Sequence, residues 1–266
     1  MTINHLITLN NWSINTFNRF FITVDEFRKN RFMPHTDNKI VTNLFYEPST
    51  RTSSSFYAAA KKVGADVISI NNVNYSSVAK GETLEDTIRT LACYSQIIVL
   101  RHPEIGAAKR AADISPVPII NAGDGAGEHP TQTLLDLYTI YKKFGQIEGL
   151  KICFIGDNKN SRTVHSLGNV LEKCARVYYC DDYSVDNIPE ADIYYLTRVQ
   201  KERGSSGSYE LTKEHIDKLP KNCIVMHPFP RNEEIPQWFD NDPRAKYFEQ
   251  MSNGLYVRMA ILYERL

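Results

Sequence analysis

Short apolar runs separated by segments of helical pattern are the feature that most restricts the fold of this chain. Eight such runs occur, four in each half of the sequence, at 41–46, 66–70, 97–101, 117–122, 151–157, 176–180, 191–197 and 222–228. Short apolar runs of this kind are typical of parallel strands that are buried on both faces of a sheet. We therefore predict an α/β protein with two Rossmann-like domains, each built on a parallel sheet.

One helix is predicted to join the two domains. The segment HPTQTLLDLYTIYKKFG at 129–145 places Pro130 where the first turn of a helix begins and ends on lysines and a glycine, as helices commonly do. A final amphipathic helix is predicted at 254–266, and we expect it to pack back on the first domain. The predicted domains are 1–129, to which the final helix belongs, and 130–253.

The composition argues against several classes of protein. Hydrophobic residues make up 42% and charged residues 23% of the 266 residues, which excludes a disordered chain. The 31 basic and 31 acidic residues give a formal net charge of zero, which argues against bulk binding to nucleic acid or to an anionic membrane. No apolar run approaches the roughly 18 residues of a membrane span. The first residues also lack the pattern of a signal peptide.

The cysteines predict a reduced protein without a metal site. Their number is odd and no C-x-x-C pair occurs, so a disulfide framework or a zinc knuckle is not expected. The histidines lack the spacing of metal ligands as well. We expect incidental thiols in a reducing compartment, and therefore a cytoplasmic protein. The five cysteines are Cys93, Cys153, Cys174, Cys180 and Cys223.

Hydroxyl groups and an arginine follow the first predicted strand. The segment EPSTRTSSSF at 47–56 places Ser49 to Thr52 between a strand and the start of a helix. Hydroxyls, free backbone N–H groups and the helix dipole favour an anion at such a position, and Arg51 adds a planar fork for phosphate oxygens. A helix cap beside a solvated arginine is the alternative. A Walker loop is excluded, because the sequence has no G-x-x-x-x-G-K here.

Other predicted strands also end on polar residues. The glycine-rich segment 121–132 contains His129 at a helix start, where a neutral imidazole can donate to a developing oxyanion, although a capping role is the commoner one for a single histidine. Gly123, Gly125 and Gly127 of this segment permit positive φ and a close approach of the backbone to a ligand.

Arginines and an amide follow the strands of the second domain, as expected for a site that binds a carboxylate. These residues are Arg162, Arg198, Gln200 and Arg203. Surface salt bridges to Glu202, Glu233 and Glu234 are the alternative. No Ser/His/Asp or Cys/His arrangement accompanies them, which favours catalysis by positioning and electrostatics over a covalent intermediate on the enzyme.

Eight motifs occur in an order that resembles the aspartate carbamoyltransferase family. They are FYEPSTRT, SSVAKGETLEDT, LRHPE, NAGDGAGEHPTQTLLDL, RTVHSL, TRVQKER, MHPFPR and NGLYVRMAIL. The resemblance runs from about residue 41 to the end of the chain. It implies transfer of the carbamoyl group from carbamoyl phosphate to L-aspartate, and a homotrimer whose active sites are shared between subunits.

The resemblance also implies a role for individual residues. Those implied for carbamoyl phosphate are Ser49, Thr50, Arg51, Thr52, Ser76, Lys80, Arg101, His129 and Gln132. Those implied for aspartate are Lys80, Arg162, Arg198, Gln200, Phe229 and Pro230. Among them, the catalytic residues are implied to be Thr52, Lys80, Arg101 and His129. Glu47 and Arg203 resemble a pair that bridges the domains on closure, and Ser77 offers the same chemistry as Ser76.

The sequence departs from the family at three places. Ser53 stands where many members have a second arginine, and Phe229 replaces a smaller residue and is expected to narrow the aspartate pocket. The second domain is short at 181–190 and at 203–215, where the family has a loop that closes over aspartate. A shortened closure loop is expected to weaken aspartate binding more than carbamoyl phosphate binding.

Three alternatives stay open at this point. A non-catalytic carbamoyl-phosphate-binding or assembly subunit would explain the shortened second domain. An ornithine carbamoyltransferase is disfavoured, because this chain has H-P-F-P at 227–230 and the T-R-V-Q-K-E-R segment at 197–203. A piece of a larger multifunctional enzyme is the third alternative, although the start at Met1 and the helical end favour a free-standing catalytic chain.

Overall fold

The computed structural model describes residues 3–31, 36, 38–71, 81–181, 187–199 and 209–266. The α-helices within these ranges are α1 (Ile14–Arg28), α2 (Thr50–Lys62), α3 (Leu84–Ala92), α4 (Ala107–Ile114), α5 (Pro130–Phe144), α6 (Arg162–Leu171), α7 (Lys213–Lys218) and α8 (Tyr247–Tyr263). The strands are β1 (Ile40–Phe45), β2 (Asp66–Ile70), β3 (Ile97–His102), β4 (Ile119–Asp124), β5 (Lys151–Ile155), β6 (Arg176–Cys180), β7 (Ile193–Leu196) and β8 (Ile224–Met226). A 3₁₀ helix covers Gln237–Asn241.

The chain divides into two compact units. The first unit comprises Met1–Leu134 and Asn253–Leu266, and the second comprises Leu135–Ser252. Helix α5 begins in the first unit and ends in the second, while α8 leads the chain back into the first unit. The predicted linking helix and the return of the final helix to the first domain are therefore confirmed.

The first unit is built on a four-stranded parallel sheet with the order β2-β1-β3-β4. Apolar side chains of α3 and α4 pack on one face of this sheet, where Ile88 and Ala111 meet Leu44 and Ile98. The inner strand β3 and the neighbouring β4 have almost no exposed residues, whereas the edge strand β2 has a mixed pattern. Burial on both faces explains the nearly continuous apolar runs in the sequence.

The second unit repeats this plan with the order β6-β5-β7-β8, again all parallel. Its core joins alternate residues of these strands to α7 and to the 3₁₀ helix, including Tyr194, Val225, Ile216 and Phe239. The edge strand β6 is partly exposed, like its counterpart β2. The two parallel-sheet domains predicted from the sequence are thus confirmed.

Helix ends follow the sequence where local chemistry determines them. Helix α5 begins at Pro130, and Gly145 follows its end with φ of +76°. The final helix differs, because it begins at Tyr247 and ends at Tyr263 and does not cover 254–266 as predicted. Asn253 and Gly254 favour a helix boundary by propensity, yet both are buried inside α8, so tertiary packing overrides their local preference.

The cysteines form no disulfide in the structure. All five are free, although the Sγ atoms of Cys153 on β5 and Cys180 on β6 lie 3.3 Å apart. Burial raises the pKa of the Cys153 thiol well above its usual range, so this thiol stays protonated.

None of the described helices combines the length and the apolar character needed to cross a lipid bilayer.

Two glycines of the second unit give a stability prediction. Gly156 follows β5 with φ of +124°, and a Cβ there would lie 2.3 Å from the carbonyl oxygen of Thr197. Gly149 also has a positive φ, +77°, but a Cβ there would meet nothing within 4 Å. We expect Gly156→Ala to lower the free energy of unfolding by about 3 kcal/mol, because backbone strain and a backbone clash add together. Urea unfolding measures this loss.

The matched control for that prediction is Gly149→Ala. It introduces the backbone strain without the clash, so we expect a loss of about 1 kcal/mol. Equal losses in the two variants would show that the chain after β5 moves away from Thr197 at no cost and would contradict the prediction.

Candidate active site

In each sheet, successive strands are first added on one side of the starting strand and then on the other, so the strand order reverses at one point. In the first unit this point lies between β1 and β3, and in the second between β5 and β7. Connections leave such neighbouring strands toward opposite faces, which opens a crevice at their carboxyl ends where ligands bind in open α/β sheets. The predicted site residues after β1, β3, β5 and β7 lie at these two places.

The start of α2 has the properties of an anion site. Ser49 occupies the N-cap position of α2, and its side chain makes no capping hydrogen bond to the helix. The Ser49 hydroxyl instead accepts a hydrogen bond from Nη1 of Arg101 at 3.2 Å. The positive end of the α2 dipole at this position favours a bound anion. Thr50 and Arg51 are exposed in this turn, while Thr52 is buried.

Arg101, at the carboxyl end of β3, is held by two groups from the chain after β1. Its Nε donates to Oε2 of Glu47 at 3.2 Å, and its Nη1 donates to Ser49. Both side chains of the Arg101–Glu47 pair are largely shielded from solvent, at 13% and 30% exposure, so water screens their attraction less than at an open surface. The sequence predicted Glu47 to pair with Arg203, which lies outside the described residues, so that pairing stays a prediction.

Ser53 has a role that differs from that of an arginine. Its side chain is buried, and its hydroxyl donates to Oδ1 of Asn71 at 2.8 Å. Asn71 comes directly after β2, so this bond ties the first turn of α2 to the chain that leaves the neighbouring strand. A neutral hydrogen bond thus stands at the position where many members of the resembled family have an arginine.

The glycine-rich segment after β4 is packed against protein. A Cβ on Gly125 would lie 2.4 Å from the carbonyl oxygen of Pro103, and one on Gly127 would lie 2.8 Å from Oδ1 of Asp124. The predicted positive φ is confirmed for Gly123, at +119°, and for Gly125, at +54°. The lack of a side chain at Gly125 lets this segment approach the loop that contains Pro103, while a close approach of the backbone to a ligand stays a prediction. The Asp124 carboxylate also accepts the backbone N–H of Gly106 at 3.0 Å.

His129 and Gln132 are buried at the start of α5. His129 is 4% exposed and immediately precedes the first residue of the helix, as the sequence predicted. Its backbone oxygen accepts the N–H groups of Gln132 and Thr133, and its Nδ1 lies 3.5 Å from Oγ1 of Thr131. Burial in a turn held by these backbone bonds keeps the imidazole in one place.

The second unit brings two arginines to the carboxyl-terminal edge of its sheet, where its parallel strands end. Arg162 is the first residue of α6, after β5, and Arg198 follows the neighbouring strand β7. Ser161 caps α6 by accepting the N–H of Val164. Both arginine side chains are half-buried, and the adjacent strand β8 leads into His227–Pro230 at the same edge. Two guanidinium groups at one edge suit a ligand with carboxylates.

Phe229 points into an aromatic cluster of the second unit. Its ring centroid lies 5.5–5.7 Å from those of His227, Tyr247 and Phe248, and the guanidinium carbon of Arg231 lies 5.9 Å from it. The residue has a φ of +55°, and the Phe229–Pro230 peptide bond is cis. The large ring thus packs against aromatic side chains of the second unit, and the expected narrowing of the aspartate pocket stays a prediction.

A buried histidine–glutamate pair lies behind this loop, and the sequence patterns did not reveal it. Nε2 of His227 lies 2.8 Å from Oε1 of Glu234, and both side chains are almost completely buried. We had considered Glu234 as a surface partner for the arginines, but it lies inside the second unit. Burial raises the pKa of the Glu234 carboxyl, yet the hydrogen bond from His227 and the nearby backbone N–H groups outweigh this effect, so the pKa lies below its ordinary value.

Four predicted site residues lie outside the described residues. They are Ser76, Lys80, Gln200 and Arg203, and Ser77 lies outside as well. Within the described ranges, no group of three or more histidine, cysteine or acidic side chains is arranged to hold a metal ion. The described residues therefore supply hydroxyls, arginines, a histidine and a helix terminus, which bind and orient anions.

Family profiles match both halves of the chain. The profile described as "Aspartate/ornithine carbamoyltransferase, carbamoyl-P binding domain" matches residues 4–142. The profile described as "Aspartate/ornithine carbamoyltransferase, Asp/Orn binding domain" matches residues 172–264. Together the two matches cover most of the chain.

Individual relatives carry related names. The chain is 47% identical over 262 residues to the aspartate carbamoyltransferase catalytic subunit of Methanococcus vannielii, a match that covers 86% of each chain. It is 43% identical over 295 residues to the protein of the same name from Archaeoglobus fulgidus, covering 98% of this chain and 99% of the relative. Because 295 exceeds the 266 residues of this chain, the second relative contains residues that this chain lacks.

Solved structures agree with these matches. An aspartate transcarbamoylase from Trypanosoma cruzi in complex with carbamoyl phosphate and aspartate superposes with a TM-score of 0.91 at 33% identity, covering 99% of this chain and 97% of the other. The catalytic subunit of the Methanocaldococcus jannaschii enzyme superposes with a TM-score of 0.88 at 40% identity, covering 98% and 97%.

The His227–Glu234 pair gives a prediction for acid stability. Because the native pKa of Glu234 lies below the ordinary 4.5, its contribution to stability is complete above that pH. It is lost as the pH falls through the lower native pKa, since the unfolded chain takes up the proton first. We expect the free energy of unfolding to fall more steeply between about pH 5 and 3 in the wild type than in Glu234→Gln.

Urea unfolding at several pH values measures both slopes. The glutamine variant serves as the control, because it retains an oxygen acceptor for His227 but cannot titrate. Parallel pH profiles for the two proteins would contradict the stabilising role of the ionised carboxylate.

Proposed function

Because the chain belongs to the aspartate/ornithine carbamoyltransferase family, we propose that it transfers the carbamoyl group of carbamoyl phosphate to the α-amine of L-aspartate. The products are N-carbamoyl-L-aspartate and phosphate, a step of pyrimidine synthesis. One observation carries this proposal: arginines and a helix terminus that suit anions lie at the strand-order change of each sheet, in a chain whose relatives are named aspartate carbamoyltransferases.

The first unit is proposed to bind carbamoyl phosphate. The amides at the start of α2, with Ser49, Thr50, Arg51 and Thr52, would receive the phosphate oxygens. Ser76 and Lys80 would complete this site, as the family resemblance implies. The description of the profile that matches residues 4–142 supports the assignment.

The carbonyl oxygen of carbamoyl phosphate is proposed to bind Thr52, Arg101 and His129, and its amino group to bind Gln132. His129 is buried and held at the start of α5, and the position of Arg101 is determined by Glu47 and Ser49. Donors that are already in place stabilise a developing oxyanion without reorganising during the reaction, and one such donor contributes about 3 kcal/mol.

The second unit is proposed to bind aspartate. Arg162 and Arg198 would pair with its carboxylates, while Gln200, Pro230 and the backbone beside Phe229 would complete the contacts. Lys80 is proposed to contact aspartate too. The profile description for residues 172–264 names aspartate or ornithine. Cationic side chains at this edge favour aspartate, because ornithine carries a positive charge on its side chain.

The reaction then follows from charge neutralisation and orientation. The uncharged α-amine of aspartate attacks the carbonyl carbon, and a C–N bond forms. The bond between that carbon and the bridging phosphate oxygen breaks, and the phosphate leaves with the bonding electrons. The amine loses its proton to the departing phosphate or to solvent. Both substrates are anions, so the arginines offset the repulsion that would otherwise keep them apart.

Two further features are part of the proposal. We propose a homotrimer with shared sites, since the resemblance assigns Ser76 and Lys80 to a loop donated by a neighbouring subunit, and we propose that Glu47 and Arg203 pair on domain closure. We also propose a cytoplasmic location, which five free cysteines support. Neither a metal nor a cofactor enters the proposed chemistry.

The activity itself gives the main prediction. We expect the wild type to form carbamoyl aspartate and an equal amount of phosphate from L-aspartate, and no carbamoylated product from L-ornithine. In Arg162→Ala we expect the KM for aspartate to rise by about 100-fold, because a charged pair to a carboxylate is lost, while carbamoyl phosphate still binds. Product formation and equilibrium binding measure the two effects.

The matched control is Arg176→Ala. Arg176 is an exposed arginine on the same sheet. It is the first residue of β6, so it lies where the strands begin, whereas Arg162 lies where they end. Its removal should leave both KM values unchanged. A wild type that binds carbamoyl phosphate but shows no turnover at millimolar aspartate would refute the proposed activity. That result would favour a non-catalytic binding or assembly subunit, an alternative that the residues missing relative to Archaeoglobus fulgidus keep open.

The shared site gives a separate prediction. At an aspartate concentration near the wild-type KM, Lys80→Ala and Arg162→Ala should each be nearly inactive alone, and mixed subunits should regain part of the activity. In a mixed trimer, some sites combine the intact Arg162 of a Lys80→Ala subunit with the intact Lys80 of a neighbouring Arg162→Ala subunit. Such a site contains neither altered residue and should be active. Turnover after mixing and a size measurement check this. Trimers that exchange subunits without regaining activity would argue against a shared site.

A further inference from the structure

Five buried polar residues of the second unit are connected by hydrogen bonds between their side chains and, in one case, through a backbone N–H. We call these five residues the buried network. Each of them is at most 3% exposed, and they come from separate parts of the sequence: Tyr195 on β7, Asp136 on α5, Gln250 on α8, and His227 and Glu234 around the loop after β8. Buried polar groups of this number are costly unless each one is paired. None of the five belongs to the substrate contacts proposed above.

The first half of the buried network orients the side-chain amide of Gln250. The Tyr195 hydroxyl donates to Oδ2 of Asp136 at 2.8 Å, and Nε2 of Gln250 donates to Oδ1 of Asp136 at 2.7 Å. With its nitrogen held in this way, the oxygen of Gln250 faces the loop and accepts the backbone N–H of His227 at 3.0 Å. The orientation of the Gln250 amide is therefore determined from both ends.

The second half fixes the loop that carries Phe229 and Pro230. Nδ1 of His227 accepts the backbone N–H of Phe229 at 2.9 Å, so this nitrogen carries no proton. The imidazole proton then lies on Nε2, which donates to Oε1 of Glu234 at 2.8 Å. The same oxygen accepts the backbone N–H of Asn232 at 3.1 Å. Three backbone N–H groups of one loop are thus received by buried side chains.

The loop needs such support because of its backbone conformation. Phe229 has a φ of +55°, a region that non-glycine residues rarely adopt and that is energetically unfavourable for them. The bond from the Phe229 N–H to His227 holds this conformation from inside the unit. The adjacent Pro230 is exposed, so the loop presents its outer side while its inner side is bonded to buried groups.

We propose that Tyr195, Asp136, Gln250, His227 and Glu234 are positioning residues that hold the 227–230 loop in the geometry that binds the amino-acid substrate. This inference rests on the proposed function, because that function assigns aspartate contacts to this loop. The five residues touch no substrate and act through the backbone of the loop.

Replacement of Glu234 tests the inference. Glu234→Leu removes the acceptor for His227 and Asn232, and we expect the KM for aspartate to rise about tenfold while binding of carbamoyl phosphate in the absence of aspartate stays unchanged. Glu234→Gln keeps a carbonyl oxygen at the same place and should restore the aspartate KM to within about twofold of the wild type. Unchanged carbamoyl phosphate binding and a cooperative thermal transition show that the variants are folded.

Two neighbouring tyrosines provide the matched control. Tyr195→Phe removes the hydrogen bond to Asp136 from the buried network and should raise the aspartate KM about threefold. Tyr194→Phe removes a buried hydroxyl from the same strand, which donates to Pro189 and accepts from Ala191, and should leave that KM unchanged. Equal effects of the two tyrosine variants, or a wild-type aspartate KM in Glu234→Leu, would overturn the inference.

A readout without substrate separates this inference from the proposed function. Hydrogen–deuterium exchange of the peptide that covers 227–234 should be slow in the wild type and in Glu234→Gln, and about tenfold faster in Glu234→Leu. If the wild type forms no carbamoyl aspartate, the proposed function fails. The exchange rates still decide whether the buried network holds the loop. Unchanged exchange in Glu234→Leu would refute the positioning role by itself.

Discussion

The carboxyl ends of neighbouring parallel strands are the constraint on which both halves of the site depend. Each unit contains four parallel strands in one order, with the change of direction between the first and third strands of the unit. That order places the chain after β1 beside Arg101 in the first unit, and Arg162 and Arg198 after neighbouring strands in the second. Residues about 50 or 40 positions apart in sequence thus reach one edge because the sheet brings their strands together.

The electrostatics of the site depend on the same arrangement. The chain has no net charge, yet its sheets carry arginines to the edges at which anions are proposed to bind. In the first unit Glu47 already pairs with Arg101, and the start of α2 supplies partial positive charge from the backbone. An average over the whole surface is therefore a poor guide to the charge of a local site.

The sequence predicted the fold well and the site in part. Apolar runs located the eight strands within the described residues, because the inner strands are buried on both faces and even the partly exposed edge strands carry apolar residues. The position of His129 before a proline-initiated helix also followed from local chemistry. The bond between Ser53 and Asn71 and the packing of Phe229 could not be predicted, since each depends on which residues the fold places beside them. Buried pairs such as His227 and Glu234 leave no periodic pattern in a sequence.

The α/β class, the two-domain plan, the linking helix and the family could all be inferred from the amino-acid sequence, because apolar spacing, helix termini and ordered motifs are local properties of the chain. The contacts of the polar residues could not be inferred in this way. They include Arg101 with Glu47 and Ser49, Gly125 against the loop at Pro103, and the buried hydrogen bonds that connect Tyr195 with Glu234. Hydrogen bonds and ion pairs require atoms within about 3 Å, and distant segments come that close only when the chain folds.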